Sequence, residues 1–306
     1  MIVPGRDIAP FAPAALASLL AQTEPRWRAI LVDDGSTDET GRLFAEAAAA
    51  DPRFRVIRHE ASRGLGAARN VAIDLVDTPY LGFLDGDDEL TPTALARLTG
   101  TLARTGSDFV AGAYVRSRPE SDTYVPGRVQ PWVAAATDPE RLGVTLADHP
   151  QASGNIVSWS KVSRVELWRD LRFPEGVAYE DQIVAQLMYT RARAFDVIPD
   201  VVVQWRVRAD GTSITQSRAQ LSVLRDYIGA LRGGIHVLHD AGAHDAVAAR
   251  LSLILAMDIP PLREIARSHS DPSYAIEVDA FIDELRGLPE YSGARPDPTL
   301  TAALAW

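Results

Sequence analysis

Short apolar runs and helix-like runs alternate along the first third of the chain. The short apolar runs predict strands at residues 1–4, 27–32, 54–58 and 80–84. The intervening segments carry apolar residues at helical spacing and predict helices at residues 11–22, 37–50, 65–76 and 92–104. Repeated strand–helix units favour a mostly parallel central sheet flanked by helices, which is an α/β, Rossmann-like fold.

The pattern changes twice beyond residue 105. Strands are predicted at residues 109–116 and 197–208, with a polar loop at 117–130 after the first of them. Amphipathic helices separated by Gly or Pro are predicted at residues 221–238, 246–257 and 274–285. We therefore expect an α/β domain at 1–216 and a helical C-terminal region at 217–306. The first predicted strand is short, and we expect either a trimmed or an unusually short start.

Three carboxylates follow directly on the apolar run at residues 80–84. Asp85, Asp87 and Asp88 would repel one another at the tip of a buried strand, and burial disfavours their charged forms. A cation is expected beside them, and carboxylate oxygens suit Mg²⁺ or Mn²⁺. A solvated acidic turn is the alternative. The flanking strand and helix favour a site, because ligands of open α/β sheets bind at the carboxyl ends of strands.

Two further strand ends carry candidate chemistry. Asp34 stands before a Gly-Ser turn, where it could accept a hydrogen bond from a uracil-type base or a ribose hydroxyl. Taken alone, this motif is better explained by helix capping through Asp or Ser. Residues 64–70 resemble a dinucleotide fingerprint, but Arg69 replaces the third glycine. We predict instead a turn that presents Arg69 to a phosphate or a base.

Composition excludes several classes of protein. The net charge of −10 argues against a non-specific nucleic-acid binder, which would need a basic face. The absence of cysteine excludes disulfides and thiolate sites. No apolar run approaches the ~20 residues of a membrane span, and no signal peptide is visible. We expect a cytoplasmic location, including a peripheral position at the inner face of the membrane.

Several short motifs, taken in order, resemble the inverting glycosyltransferases of family 2. They begin at Pro4, continue at 18–23, 32–38, 66–70, 83–88, 179–181 and 205–208, and close at 211–214. The resemblance implies a GT-A fold, a nucleotide-diphosphate sugar donor and a divalent metal, Mn²⁺ or Mg²⁺. Each motif alone is weakly specific, whereas the ordered series covers about residues 1 to 216.

The resemblance also implies roles for individual residues. Pro4, Asp34 and Arg69 would lie at the nucleotide, Asp85 near the ribose, and Asp87 with Asp85 at the metal. Arg206, Arg208 and Ser213 resemble the segment that folds over the diphosphate. Asp181 would be the general base for the acceptor hydroxyl, and Glu180 would position the acceptor. The alternative for Glu180 and Asp181 is an ordinary acidic first turn of a helix.

The expected activity is transfer of a hexosyl or N-acetylhexosaminyl group, from a UDP-type donor to a hydroxyl acceptor. The acceptor would be a polymer or a lipid-linked glycan, in synthesis of cell-envelope polysaccharide or a teichoic-acid-like polymer. The helical tail could form a homo-oligomer. One departure concerns the donor pocket, because Arg6 and Asp7 replace a Tyr-Asn pair that is usual in the family.

Two alternatives come from other functional classes. A non-catalytic module would bind a nucleotide sugar without a general base. A haloacid-dehalogenase-type phosphotransferase would use Asp85 as nucleophile, but Glu89 stands where that family has Thr or Val.

Aromatic and histidine residues add little. His236, His239 and His244 match no zinc signature, so a solvated helix face is predicted. Tryptophans 132, 159 and 168 are more typical of core positions than of a sugar-stacking wall.

Overall fold

A computed structural model describes residues 1–121, 123–208 and 217–294 of the chain. The strands are β1 (Ile2–Gly5), β2 (Ala29–Asp33), β3 (Phe54–Arg58), β4 (Tyr80–Gly82), β5 (Glu89–Leu90), β6 (Phe109–Glu120), β7 (Thr123–Val129), β8 (Arg141–Val144), β9 (Lys161–Arg164) and β10 (Phe195–Arg206). The α-helices are α1 (Ala12–Leu20), α2 (Thr40–Ala50), α3 (Leu65–Ile73), α4 (Ala94–Thr105), α5 (Pro131–Thr137), α6 (Asp181–Arg191), α7 (Leu221–Asp240), α8 (His244–Leu253), α9 (Ile259–Ser268) and α10 (Pro272–Arg286).

The strands form two sheets that meet beside β1. Strands β1, β2 and β3 are parallel, in that order. A parallel bridge from Ile2 to Phe83 joins β1 to the chain just after β4. The second sheet runs β4-β9-β6-β10-β5 and is mixed, with β6 and β10 parallel and the other neighbours antiparallel. The predicted α/β class with flanking helices is confirmed, and antiparallel pairing is confined to the second sheet.

Burial explains why the predicted elements form. Every residue of β2 is buried, as expected for a strand covered on both faces. Helix α4 buries Leu95, Leu98 and Leu102 on one face and ends at Gly106, whose φ of 76° provides the left-handed cap. Local periodicity and capping therefore located the elements of the first third.

Two sequence predictions are wrong. Residues 117–130 are not a polar loop, because β6 continues to Glu120 and pairs with β7 in an antiparallel hairpin. Helix α9 was not predicted, because Pro260 and Pro261 resemble a helix break. Both prolines lie in its first turn, where a missing backbone N–H costs nothing.

The C-terminal helices pack against the α/β part of the chain. In that interface Asp226 of α7 accepts a hydrogen bond from the backbone of Ala178, at 3.0 Å. Arg250 of α8 donates to Gln182 of α6, at 3.1 Å. The proposed domain boundary near residue 216 lies outside the described residues. Among those that are described, no helix is both long and apolar enough to cross a membrane.

Gly66 fixes the approach of α3 to the turn at residues 173–176. A Cβ at Gly66 would lie 2.1 Å from the carbonyl oxygen of Pro174, which is backbone and cannot rotate away. We expect Gly66→Ala to lower the free energy of unfolding by about 1–3 kcal/mol, measured by chemical denaturation.

Gly100 of α4 is the matched control. It is exposed, and nothing lies within 4 Å of the Cβ that alanine would add. Gly100→Ala should therefore be neutral or stabilising, by up to about 1 kcal/mol. Equal effects of the two substitutions would contradict the close approach at Gly66.

Candidate active site

The carboxyl ends of β1 and β2 open into a cleft of about 1590 Å³. Every predicted site residue within the described part of the chain lines it. These residues are Pro4, Asp34, Arg69, Asp85, Asp87, Glu180, Asp181, Arg206 and Arg208. The remaining predicted residue, Ser213, lies outside the described residues. Segments far apart in sequence are thus brought to one cavity.

Asp34 organises the loop between β3 and α3. Its carboxylate accepts hydrogen bonds from His59 Nδ1 and Ser62 Oγ, both at 2.7 Å, and from the backbone of Arg63 and Gly64, both at 2.9 Å. Burial opposes ionisation, but these donors together hold the pKa of Asp34 below its usual value. Asp34 is therefore an ionised anchor of this loop. Its contact with a nucleotide base stays a prediction.

Each carboxylate of the acidic turn has an arginine partner. Asp85 accepts from Arg69 at 2.6 Å, and Asp87 accepts from Arg208 at 2.7 and 2.9 Å. Asp88 is buried and accepts from the backbone N–H of Arg206, at 2.8 Å. The expected cationic environment is therefore present in the chain itself.

The carboxylates of this turn also repel one another. Burial raises the pKa of Asp85, with the charge of Asp87 acting in the same direction and that of Arg69 opposing it. Burial also raises the pKa of Asp88 well above its usual value, reinforced by Asp87 and Asp85. Burial and mutual repulsion therefore both disfavour the charged forms of Asp85 and Asp88.

Arg69 lies deeper than its sequence motif suggested. Only 1% of its side chain is exposed, and its two terminal nitrogens donate to Asp85 and Glu180. Its guanidinium also lies over the ring of Phe173, at 5.0 Å. The predicted turn that offers Arg69 outward is thus replaced by a buried bridge between two carboxylates. A direct contact with the nucleotide stays a prediction.

Arg206 holds the acidic turn from its other side. Besides the backbone bond to Asp88, its side chain donates to the carbonyl of Asp87 and, at 2.9 Å, to that of Phe11. It also pairs with Glu89 at 3.2 Å. Arg206 is 4% exposed, so its observed contacts fix the backbone of the turn.

Glu180 and Asp181 begin α6 at the floor of the cleft. Burial raises the pKa of Asp181 to about 7, the charge of Glu180 adds to the increase, and the charge of Arg69 opposes it. Burial likewise raises the pKa of Glu180, against the charge of Arg69. Asp181 is therefore a carboxylate whose affinity for a proton suits a general base near neutral pH.

The backbone is strained beside these acids. Tyr179 has a φ of 60°, a left-handed conformation that costs a non-glycine residue ~1–3 kcal/mol. Asp7, which follows shortly after Pro4, has a φ of 50° and also lines the cleft. Strain of this kind clusters at functional sites, because the surrounding structure must enforce it.

A buried lysine was missed by the sequence analysis. Lys161 is the only lysine of the chain, and its ammonium donates to Asn155 O, Asn155 Oδ1 and Val157 O, at 2.7, 2.9 and 2.6 Å. Burial lowers its pKa to about 7, and the charge of Asp181 acts in the opposite direction. Because it is the single lysine in a chain otherwise rich in arginine, the sequence alone could have singled out this residue.

The C-terminal helices contribute a wall that the motifs did not reveal. Arginines reach the cleft from the segment before α7 and from α8 and α9, namely Arg218, Arg250, Arg263 and Arg267. Trp132 and Trp159 line the cleft while remaining largely buried. Trp168 instead lies in the core, stacked on Phe173. Sequence spacing gave no signal for the arginines, because they lie outside the ordered motifs.

The acidic turn fits a divalent cation in its donor chemistry. Asp85 and Asp87 both reach the cleft, and their oxygens are ligands that Mg²⁺ and Mn²⁺ prefer. The mutual repulsion of the neighbouring carboxylates also favours a cation. Arg208 forms an ion pair with Asp87, so a metal ion at this carboxylate would have to share the carboxylate with the guanidinium or displace the guanidinium.

Several curated proteins are similar to parts of this chain. The glycosyltransferase EpsJ of Bacillus subtilis is 36% identical over 130 residues, which cover 42% of this chain and 38% of EpsJ. Glycosyltransferase GlyG of Streptococcus pneumoniae is 27% identical over 233 residues, covering 74% of this chain and 76% of GlyG. A teichoic acid poly(glycerol phosphate) polymerase of Staphylococcus epidermidis is 41% identical over 81 residues, covering 26% of this chain and 11% of the polymerase. This chain thus spans about two fifths of EpsJ and most of GlyG.

A solved structure confirms the architecture. Residues 1–349 of TarS from S. aureus, in complex with UDP-GlcNAc, match this chain with a TM-score of 0.69 at 22% identity. The match covers 99% of this chain and 89% of that one, and it confirms the GT-A fold. The sequence model of the family "Glycosyl transferase family 2" matches residues 2–162, more than half of the chain. The chain therefore belongs to glycosyl transferase family 2.

Proposed function

We propose that this protein transfers a sugar from a nucleotide-diphosphate donor to a hydroxyl group of an acceptor, with inversion at the anomeric carbon. A UDP-type donor is preferred, and the acceptor is a cell-envelope polymer or a lipid-linked glycan. The proposal is supported most by the convergence in one cleft of the acidic turn, Arg69 and the Glu180–Asp181 pair. The match to TarS, which was solved with UDP-GlcNAc, supports the donor class.

Asp181 acts as the general base in this proposal. Its carboxylate takes the proton of the acceptor hydroxyl while that oxygen forms a bond to the anomeric carbon and the nucleoside diphosphate leaves. A pKa of about 7 gives Asp181 enough basicity for this step and leaves much of it ionised at neutral pH. Glu180, held by Arg69, keeps the start of α6 in place and orients the acceptor.

The acidic turn and its arginines bind the donor diphosphate. Asp85 and Asp87 would hold Mn²⁺ or Mg²⁺, which when bound neutralises the diphosphate and makes it a better leaving group. Arg208 touches Asp87 within the cleft, so it is close enough to bind an anionic donor group beside that carboxylate. Arg206 keeps the backbone of the turn in position.

The arginine wall favours an acceptor that carries negative charge. The protein as a whole has a net charge of −10, yet Arg218, Arg250, Arg263 and Arg267 all face the cleft. Arginines that face a concave site attract anions, although Asp258 and Glu264 line the same wall and offset part of this charge. An anionic polymer such as a teichoic-acid-like chain matches this wall, and the similarity to a teichoic acid polymerase agrees with it.

A thermal-shift panel of nucleotide sugars tests the donor. UDP-sugars should raise the melting temperature in the presence of Mn²⁺ and raise it less in the presence of a chelator, because ligand binding stabilises the folded state. A transfer or donor-hydrolysis assay with the stabilising sugar then tests catalysis. Binding without any turnover would favour a non-catalytic module.

Removal of the base should abolish transfer. For Asp181→Asn we expect kcat to fall by about 10³-fold or more with nearly unchanged donor affinity, because the amide cannot take a proton. In the wild type, kcat/KM should fall about tenfold per pH unit below about 7, as Asp181 becomes protonated. Full transfer by the variant would remove Asp181 from the mechanism.

The melting temperature of Asp181→Asn distinguishes loss of the base from misfolding. The pKa of Asp181 is higher in the folded protein than in the unfolded chain, so protonation of this carboxyl stabilises the folded state. This contribution to the free energy of unfolding is lost as the pH rises through about 7. Asp181→Asn should therefore melt at a higher temperature than the wild type at pH 8, and this gain should shrink toward pH 4. A variant that melts lower at pH 8 would indicate misfolding.

Asp87 should affect donor binding through the metal. We expect Asp87→Ala to weaken UDP binding about tenfold in calorimetry with Mn²⁺, and much less in the presence of a chelator. Asp34→Asn is a contrasting variant, because its loss would disturb the loop at residues 59–64 with or without metal. An equal loss for Asp87→Ala in both conditions would contradict the metal-ligand role.

A further inference from the structure

A second group of potential metal ligands lies far from the acidic turn in sequence. His239 of α7, His244 of α8 and Glu290 offer three ligand atoms within 4.8 Å of one another. Glu290 belongs to a short 3₁₀ helix, Pro289–Ser292, which follows α10. The three residues therefore come from three different elements, and none of them lines the cleft of the active site.

The geometry of the group is partly fixed. His244 Nδ1 and Glu290 Oε1 are 2.6 Å apart, and the ring of His239 meets the ring of His244 edge-on with 5.7 Å between centroids. Both histidines are exposed, so their rings are accessible to an ion from solution. Glu290, in contrast, is only 9% exposed.

One oxygen of this carboxylate lacks a protein partner. Among the described residues, nothing donates a hydrogen bond to the buried Glu290 Oε2. A buried polar atom without a partner costs free energy, which an additional ligand would recover. This unsatisfied oxygen is independent of the proximity of the two histidines, and it favours a bound cation over a simple surface ion pair.

We propose that His239, His244 and Glu290 form a binding site for a divalent transition-metal ion, with Zn²⁺ as the best match. Imidazole nitrogens select Zn²⁺ over Mg²⁺ and Mn²⁺, which prefer the oxygen ligands found at the acidic turn. Two histidines and a glutamate leave the fourth position of a tetrahedral ion to water. The chain then carries two metal sites of different chemistry.

Zn²⁺ requires only a small rearrangement of these side chains. Metal–ligand bonds of about 2.0–2.1 Å place tetrahedral ligand atoms about 3.3 Å apart, compared with at most 4.8 Å in the structure. Rotation of the exposed His239 side chain can close this gap. The ion would replace the hydrogen bond between His244 and Glu290.

The site has a structural consequence. The metal would join the end of α7 and the start of α8 to the segment after α10. Two arginines of the cleft wall belong to the same region, Arg218 just before α7 and Arg250 within α8. Zinc would therefore fasten the C-terminal helical region rather than take part in sugar transfer.

Calorimetry and thermal shift with Zn²⁺ test this site on the full chain, without an affinity tag. We expect one Zn²⁺ per chain, and a rise in melting temperature of about 4 °C at a hundredfold excess of free Zn²⁺ over Kd. The variant His239→Ala/His244→Ala should bind Zn²⁺ at least a hundredfold more weakly. Glu290→Gln should weaken binding at least tenfold while preserving the shape of the side chain.

His236→Ala is the matched control. His236 is exposed on the same helix but does not belong to the ligand group, so its loss should leave zinc binding unchanged. Asp87→Ala should also retain the zinc site. Absence of binding by the wild type would overturn the proposal, as would unaltered binding by the double variant. Loss of zinc binding in Asp87→Ala alone would assign the ion to the acidic turn instead.

Discussion

The ion bridge made by Arg69 is the interaction on which the architecture of the site depends. Its guanidinium lies between Asp85, at the rim of the sheet, and Glu180, at the start of α6. Without this cation the half-buried Asp85 and the buried Glu180 would repel one another. Loss of one partner from a buried pair such as Arg69 and Glu180 costs ~3–5 kcal/mol. Arg69 thereby sets the separation between the donor-binding turn and the proposed base. Gly66, three residues earlier on α3, allows the close approach that brings Arg69 there.

Arginine organises the remainder of the cleft in the same manner. Arg206 satisfies the backbone of the acidic turn, Arg208 holds Asp87, and further arginines arrive from the C-terminal helices. A protein of net charge −10 thus places several arginines in this cleft, among the carboxylates that also line it. The charge of Arg69 does not fully neutralise Asp181, the proposed base, because one terminal nitrogen of Arg69 donates to Glu180 and the other donates to Asp85. Burial, reinforced by the charge of Glu180, raises the pKa of Asp181 to about 7, and Arg69 only partly opposes this increase.

Local sequence signals predicted the first part of the fold well, because strands such as β2 and helices such as α4 owe their positions to burial pattern and caps. The convergence of Asp85, Asp181 and Arg208 followed from motif order. Three features were beyond reach for physical reasons. The hairpin of β6 and β7 has a solvent-facing second strand with weak alternation. One of the two partners of Arg69, Glu180, lies 111 positions away in the sequence. The group of His239, His244 and Glu290 arises only when α7, α8 and the segment after α10 pack together.

The solitary lysine offers a practical consequence for experiments in solution. Lys161 begins β9, 2% exposed, and all three protons of its ammonium group are engaged by oxygens of the 155–157 segment. Reagents that modify lysine side chains have therefore no surface target in this chain, since every other basic side chain of the Lys and Arg class is an arginine. Acylation of Lys161 would require its ammonium group to be released from the 155–157 segment, part of which lines the cleft. The rate of that single modification would therefore report how often the segment around Lys161 opens locally.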